Sequence, residues 1–163
     1  VKWRSAIARG QVRVLLLDEC HLLWGDICGY VWGKTDQRLE VSIPSERQRQ
    51  TYYGAFDYHS KQFYVQAYDA GNTDNTIAFL KYLRALDEPA RLLIIWDGVS
   101  YHRSHQLREY LAQVNTGLSA SEWNITCIQF APHAPEQNPV EDIWLQAKQF
   151  IRKFFIWGSR LRQ

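Results

Sequence analysis

The sequence predicts an α/β domain, a central sheet with helices packed against it, on three observations. Two short apolar runs, "VLLL" at 14–17 and "LLII" at 92–95, lead into an aspartate, as buried strands do where a sheet meets solvent. Stretches with apolar residues three and four apart occupy 72–89, 104–114 and the region from 139 onward. In the second half of the chain the two patterns alternate, which is the order of a layered α/β fold.

Bulk composition narrows the class. With 163 residues, 46% hydrophobic and 14% aromatic, the chain can bury a sizeable core as one domain, and a disordered class is excluded. Nineteen Lys and Arg against seventeen Asp and Glu leave a formal charge of +2, which neither demands nor excludes a polyanionic partner. Cys20, Cys28 and Cys127 are odd in number and form no paired CxxC, which argues against a disulfide framework and a cysteine-rich zinc site. They are expected to be reduced and at least partly buried. No apolar run approaches a membrane span and no secretory leader is visible, so a soluble intracellular protein is expected.

The elements follow in order. "QVRVLLLDE", 11–19, reads as a central strand with Asp18 at its end, and "GYVWG", 29–33, and "RLEVSIP", 38–44, as further strands. "YYGAFDY", 52–58, and "QFYVQAYD", 62–69, flank "HSK" and suit a hairpin. A helix follows over 72–89, with Thr73 or Asp74 as cap and Pro89 closing it. "RLLIIWD", 91–97, is a strand, "SHQLREYLAQV", 104–114, a helix, 115–124 a loop, and "ITCIQF", 125–130, the last strand. From Pro139, capped by Asn138, the positions Val140, Ile143, Trp144, Ala147, Phe150, Ile151 and Phe154 form the apolar stripe of an amphipathic helix.

Three acidic positions share a description: Asp18 and Asp97 at strand ends, and Glu141 in the first turn of the last helix. Carboxylates converging in one crevice raise each other's pKa unless a cation neutralises them, and an all-oxygen donor set selects hard ions such as Mg²⁺ or Mn²⁺. Two such ions can activate a water or a 3′-hydroxyl on one side of a phosphodiester and stabilise the leaving oxygen on the other. The plainer alternative is that each residue serves its own locality, Asp97 shaping a turn before Gly98 and Glu141 closing a capping box. Glu19 alternates to the strand face opposite Asp18, and Asp142 lies about 100° round the helix from Glu141, which makes both outer partners or surface residues.

The blocks "LLLDE" at 15–19, "IIWDGVSYH" at 94–102 and "FAPHAPEQNPVEDIW" at 130–144 resemble the catalytic blocks of mariner-like transposases and their bacterial insertion-sequence relatives, the DDE superfamily endonucleases. The third block is the most specific of them: a proline-punctuated loop, Asn-Pro, an aliphatic residue and an acidic one. The resemblance implies an RNase H-like fold, a mixed central sheet flanked by helices, as one catalytic domain over 1–163 with a DNA-binding domain upstream. It assigns Asp18, Asp97 and Glu141 as catalytic and metal-ligating, with Mg²⁺ or Mn²⁺ as cofactor, two ions per site when DNA is bound. His102 matches a histidine that in relatives follows the second aspartate, and is a candidate for positioning a phosphate or the nucleophile. Gly98 stands where relatives often carry Asn, and the spacing from Asp97 to Glu141 exceeds that of the mariner-like proteins, with the 115–124 loop as the natural place for the excess.

Implied partners are double-stranded DNA, as transposon ends and target, and a second copy of the chain in a dimer or higher assembly. Location in the bacterial cytoplasm with the nucleoid follows if the chain comes from an insertion sequence. On the last helix Lys148 and Arg152 share a side with Glu141 and are candidates for the DNA backbone, with Lys153 and Arg160 nearby; solvation of the helix C-terminus is the plainer role. A second basic group comprises Lys34, Arg38, Arg47 and Arg49. No base-reading motif is present in the sequence. Three other functions stay open: a non-catalytic DNA-binding or assembly module of the same fold, a hydrolytic nuclease, and a glycosidase working by paired carboxylates.

Overall fold

The computed structural model of the chain describes residues 3–23, 34, 49–86, 90–131 and 138–160, the last seven of these as backbone. The expected strands at 29–33 and 38–44, the 132–137 loop, Cys28, Arg38 and Arg47 lie outside the described residues.

The chain opens with a short helix α1 (Arg4–Ala8), followed by strands β1 (Val12–Leu23), β2 (Arg49–Asp57) and β3 (Phe63–Tyr68). Helix α2 (Thr73–Ala85), strand β4 (Arg91–Trp96), helix α3 (His105–Val114), strand β5 (Ile125–Gln129) and helix α4 (Pro139–Arg160) complete it. The sheet order is β3-β2-β1-β4-β5. The first three strands form an antiparallel meander, and β4 and β5 run parallel to β1. A mixed sheet flanked by helices in this order is the RNase H-like arrangement.

Local chemistry explains the boundaries. The β2–β3 hairpin turns at the expected "HSK", where Lys61 takes φ +61° and the Asp57 carboxylate accepts from the backbone N–H groups of His59 and Ser60. Helix α2 is capped by Asn72 instead of Thr73 or Asp74, because the Asn72 side chain accepts from Asn75 N–H at 2.9 Å. It ends at Ala85, several residues before Pro89. Ser104 caps α3 through Leu107 N–H. Asn138 caps α4 as the sequence predicts, accepting from Val140 N–H at 3.2 Å.

One sheet face is the core. Leu15, Leu17, Tyr53, Phe79, Leu80 and Leu107 are buried there between the strands and helices α2 and α3, each worth about 1.5–3 kcal/mol of transfer free energy. The other face carries Val14, Leu16, Leu93 and Ile95, lined by Ile7 of α1 and by Trp3 just before it. Helix α4 packs on this second face beside Gly54. A Cβ there would sit 2.5 Å from both Phe63 and Trp144, so the missing side chain sets how closely the helix approaches. Phe150 departs from the expected apolar stripe: it is 62% exposed.

Strand β1 also corrects the placement of Asp18, which is inside the strand, paired with Gly54 of β2. The apolar run stops at Leu17 because parallel pairing with β4 stops at Leu16–Ile95, and beyond it β1 continues only as the arm of a hairpin with β2.

Candidate active site

Register brings the two aspartates together. Leu16 pairs with Ile95 in the parallel ladder, and Asp18 and Asp97 each lie two residues further along their chains in the same direction. Adjacent parallel strands thus bring Asp18 and Asp97 to one end of the sheet, Asp18 on the strand face that carries α4 and Asp97 just past β4 with its carboxylate against His102. Asn138 fixes α4 there: besides capping the helix, its amide lies 3.5 Å from the carbonyl of Leu17, the residue before Asp18. Glu141 is exposed in the first turn of that helix.

The charges of Asp97 and Glu141 act on Asp18, although among the described residues these three carboxylates are not a group whose ligand atoms lie within 4.8 Å of one another. Burial, and then the charges of Glu19, Glu141 and Asp97, push the Asp18 carboxyl up to about 7. The Asp97 carboxyl moves the other way: burial pulls it up, but hydrogen bonds from His102 and from the Val99 N–H outweigh this and hold it below the usual range.

His102 is the residue between the layers. It lies in a 3₁₀ turn (Ser100–Arg103), with its ring stacked on Trp96 at 4.2 Å and edge-on to Tyr101 at 4.8 Å. Nδ1 lies 3.1 Å from Asp97 Oδ1 and Nε2 lies 3.2 Å from Glu19 Oε1. Burial opposes its charge, yet bonds to Asp97 and Glu19 and the Glu19 charge lift its pKa to about 9. Glu19 does face away from Asp18, as strand alternation predicts, but that face is covered. Its side chain is only 7% exposed, which makes it an outer partner and not a surface residue. Asp142, by contrast, is exposed on α4, as are the basic residues at Arg49 and Lys153, while Lys148 and Arg152 are half-buried.

Among the described residues, Glu19, Asp97 and His102 are the group whose ligand atoms lie within 4.8 Å of one another, close enough to hold a divalent cation. Sequence reasoning missed the Glu19–His102 contact. The available signal was the pairing of an acidic residue directly after the first aspartate with a histidine shortly after the second.

The sequence profile of the DDE superfamily endonuclease family matches residues 13–162. The chain belongs to that family. The resemblance drawn from the three blocks is thereby borne out, and solved structures agree with the fold. The simian T-cell lymphotropic virus intasome in complex with PP2A regulatory subunit B56 gamma aligns at TM-score 0.61 and 12% identity, over 90% of this chain and 42% of that one. The Mos1 transposase paired-end complex with left transposon end aligns at 0.59 and 12%, over 98% and 50%. A pre-cleavage Mos1 transpososome aligns at 0.59 and 13%, over 98% and 51%. This DDE endonuclease family member therefore spans about half the length of the structures it matches, and at such identities the likeness is one of fold. No curated protein matches it by sequence. Among the described residues, no helix is long and apolar enough to cross a membrane.

Proposed function

We propose that the chain is the catalytic core of a metal-dependent DNA transposase, cutting phosphodiester bonds at transposon ends and joining 3′-hydroxyls to target DNA. The observation that carries the reading is the shared field at Asp18. A carboxyl raised to about 7 by burial and by Glu19, Glu141 and Asp97, in a member of the DDE superfamily endonucleases, fits a site built for a cation.

The donor set supports the fit. Asp18, Asp97 and Glu141 offer only carboxylate oxygens, which suit Mg²⁺ or Mn²⁺, and a divalent ion would relieve the repulsion that lifts Asp18. When bound, one or two such ions supply a deprotonated nucleophile and charge stabilisation at the leaving oxygen. The residues themselves do the placing. Asp18 projects from within β1, Asp97 stands one residue past the end of β4, and Glu141 stands on a helix whose cap reaches β1, so three different elements supply the proposed ligands. Water and a DNA 3′-hydroxyl are alternative nucleophiles at one site, so hydrolysis and joining need no separate machinery.

DNA is the proposed substrate, by analogy with the Mos1 transposase paired-end complex with left transposon end and the Mos1 strand transfer complex. Lys148 and Arg152, further along α4 on the side of Glu141, are the proposed backbone contacts, and a second copy of the chain the proposed partner on DNA. Supercoiled plasmid and 3′-hydroxyl duplex ends incubated with Mn²⁺ test the reading. Nicking and end joining are expected from the wild type, falling to background in Asp18→Ala, Asp97→Ala and Glu141→Ala. Equal activity in wild type and all three variants would sink it.

A further inference from the structure

We propose that Glu19 is a positioning residue for Asp97, acting through His102, and is not itself a ligand of the ion. The inference rests on the assignment of Asp97 to the metal site and adds a component that the triad alone does not contain.

The geometry is that of a clamp. His102 sits between the two carboxylates with one ring nitrogen toward each, Nε2 at 3.2 Å from Glu19 and Nδ1 at 3.1 Å from Asp97. The Nδ1 side is further placed by the Asp97 carbonyl oxygen at 3.4 Å. A ligating histidine must turn one nitrogen lone pair to the ion. Here both nitrogens are committed to carboxylate oxygens, on opposite sides of the ring, so the arrangement is that of a tether. The ring cannot swing away: it is stacked on Trp96 with an 8° interplanar angle, and its side chain is 2% exposed.

Glu19 is anchored in turn. It belongs to β1 and pairs with Tyr53 of β2, so its backbone is held by the antiparallel ladder. Its carboxylate also takes a hydrogen bond from the Tyr101 side chain, in the same 3₁₀ turn as His102. Asp97, by contrast, lies just past the end of β4, where the ladder no longer holds it. Nearly half its side chain is exposed, and its described side-chain bonds are those to His102 and to its own turn at Val99. A half-exposed carboxylate past the end of β4 is thus tied through a buried ring to a residue within β1. Partners of this kind orient a ligand and hold it ready for the ion.

Mn²⁺ affinity in the presence of duplex DNA, measured for the full chain and a double-mutant cycle, tests the inference. Glu19→Ala is expected to weaken Mn²⁺ binding by about 10–100-fold, the usual cost of losing an outer partner. Glu19→Gln, which keeps an acceptor oxygen toward Nε2, is expected to recover most of that loss; a purely structural role would instead make affinity follow the unfolding midpoint. In a His102→Ala background, Glu19→Ala should add nothing, because the link it works through is gone. Should Glu19→Ala weaken binding by the same factor with and without His102, Glu19 is a ligand and the inference is wrong. It is also wrong if Glu19→Ala and Glu19→Gln bind like the wild type while Asp97→Ala does not. If wild type and Asp97→Ala bind Mn²⁺ alike, the metal reading beneath it fails as well.

Discussion

Arg13 Nε donates to Asp57 Oδ2 at 2.9 Å with side chains only 9% and 4% exposed, an ion pair remote from the carboxylate site that ties β1 to the end of β2. Burial pushes the Asp57 carboxyl up, but the Ser60 N–H, the Arg13 guanidinium and the His59 N–H overcome it and hold the group below its ordinary 3.8. The unfolded chain therefore takes up the proton first. The stabilisation is complete above the unfolded pKa and is lost as pH falls through the lower folded value. Thermal unfolding midpoints followed from about pH 6 into acid should fall more steeply for the wild type than for Asp57→Asn. Parallel curves would contradict the assignment. Arg13→Met leaves that carboxylate buried without its cation and is expected to cost about 3–5 kcal/mol in urea unfolding. At this scale the sequence singled out Asp18 and Asp97 as candidates because an apolar run broken by a carboxylate is a local signal, and Glu141 because it opens a helix after Asn-Pro. Glu19 and His102 were not legible as partners, because the contact joins residues 83 positions apart and depends on which face is covered.

Among the elements, α4 decides whether the third carboxylate reaches the other two. Its start is held by Asn138, which caps Val140 N–H and reaches the Leu17 carbonyl, and its approach to the sheet is set by Gly54 against Trp144 and Phe63. Asn138→Ala is expected to cost about 1–2 kcal/mol of stability, the usual range for a helix cap. Gly54→Ala overpacks two aromatic rings already edge to face at 5.2 Å and is expected to cost about 1–3 kcal/mol. Both should lower DNA cleavage more than their stability loss explains, because each shifts Glu141 relative to Asp18. Activity that simply tracks the folded fraction would show that α4 tolerates displacement. The Asn-Pro start of this helix was legible, since cap and first-turn proline are sequence-local. The Asn72 cap of α2 was missed by one residue, because Asn72, Thr73 and Asp74 are all good caps and only the backbone decides among them. Phe150 followed the helical period but not the packing, since periodicity marks a face without saying how far a partner extends along it.

At the level of the whole molecule, the strand order β3-β2-β1-β4-β5 explains why the site is where it is. β1 is central, parallel to β4 on one side and antiparallel to β2 on the other, so Asp18 is paired on one side only, at the point where the parallel ladder ends. Polar side chains are tolerated there, beside Asp97. Fold class and element order could be read from alternating periodicities, but the extension of β1 past Asp18 could not, since "CHLL" carries no strong strand pattern and is held by pairing with β2. The central claim is that Asp18, Asp97 and Glu141 together hold the divalent ion at which DNA is cut. Anomalous scattering from crystals of the chain with duplex DNA and Mn²⁺ tests it most directly. A peak shared by these three carboxylates, about 2.1 Å from their oxygens, is the expected result. A peak bonded by Glu19 and His102 in their place, or no peak beside these carboxylates, would contradict it.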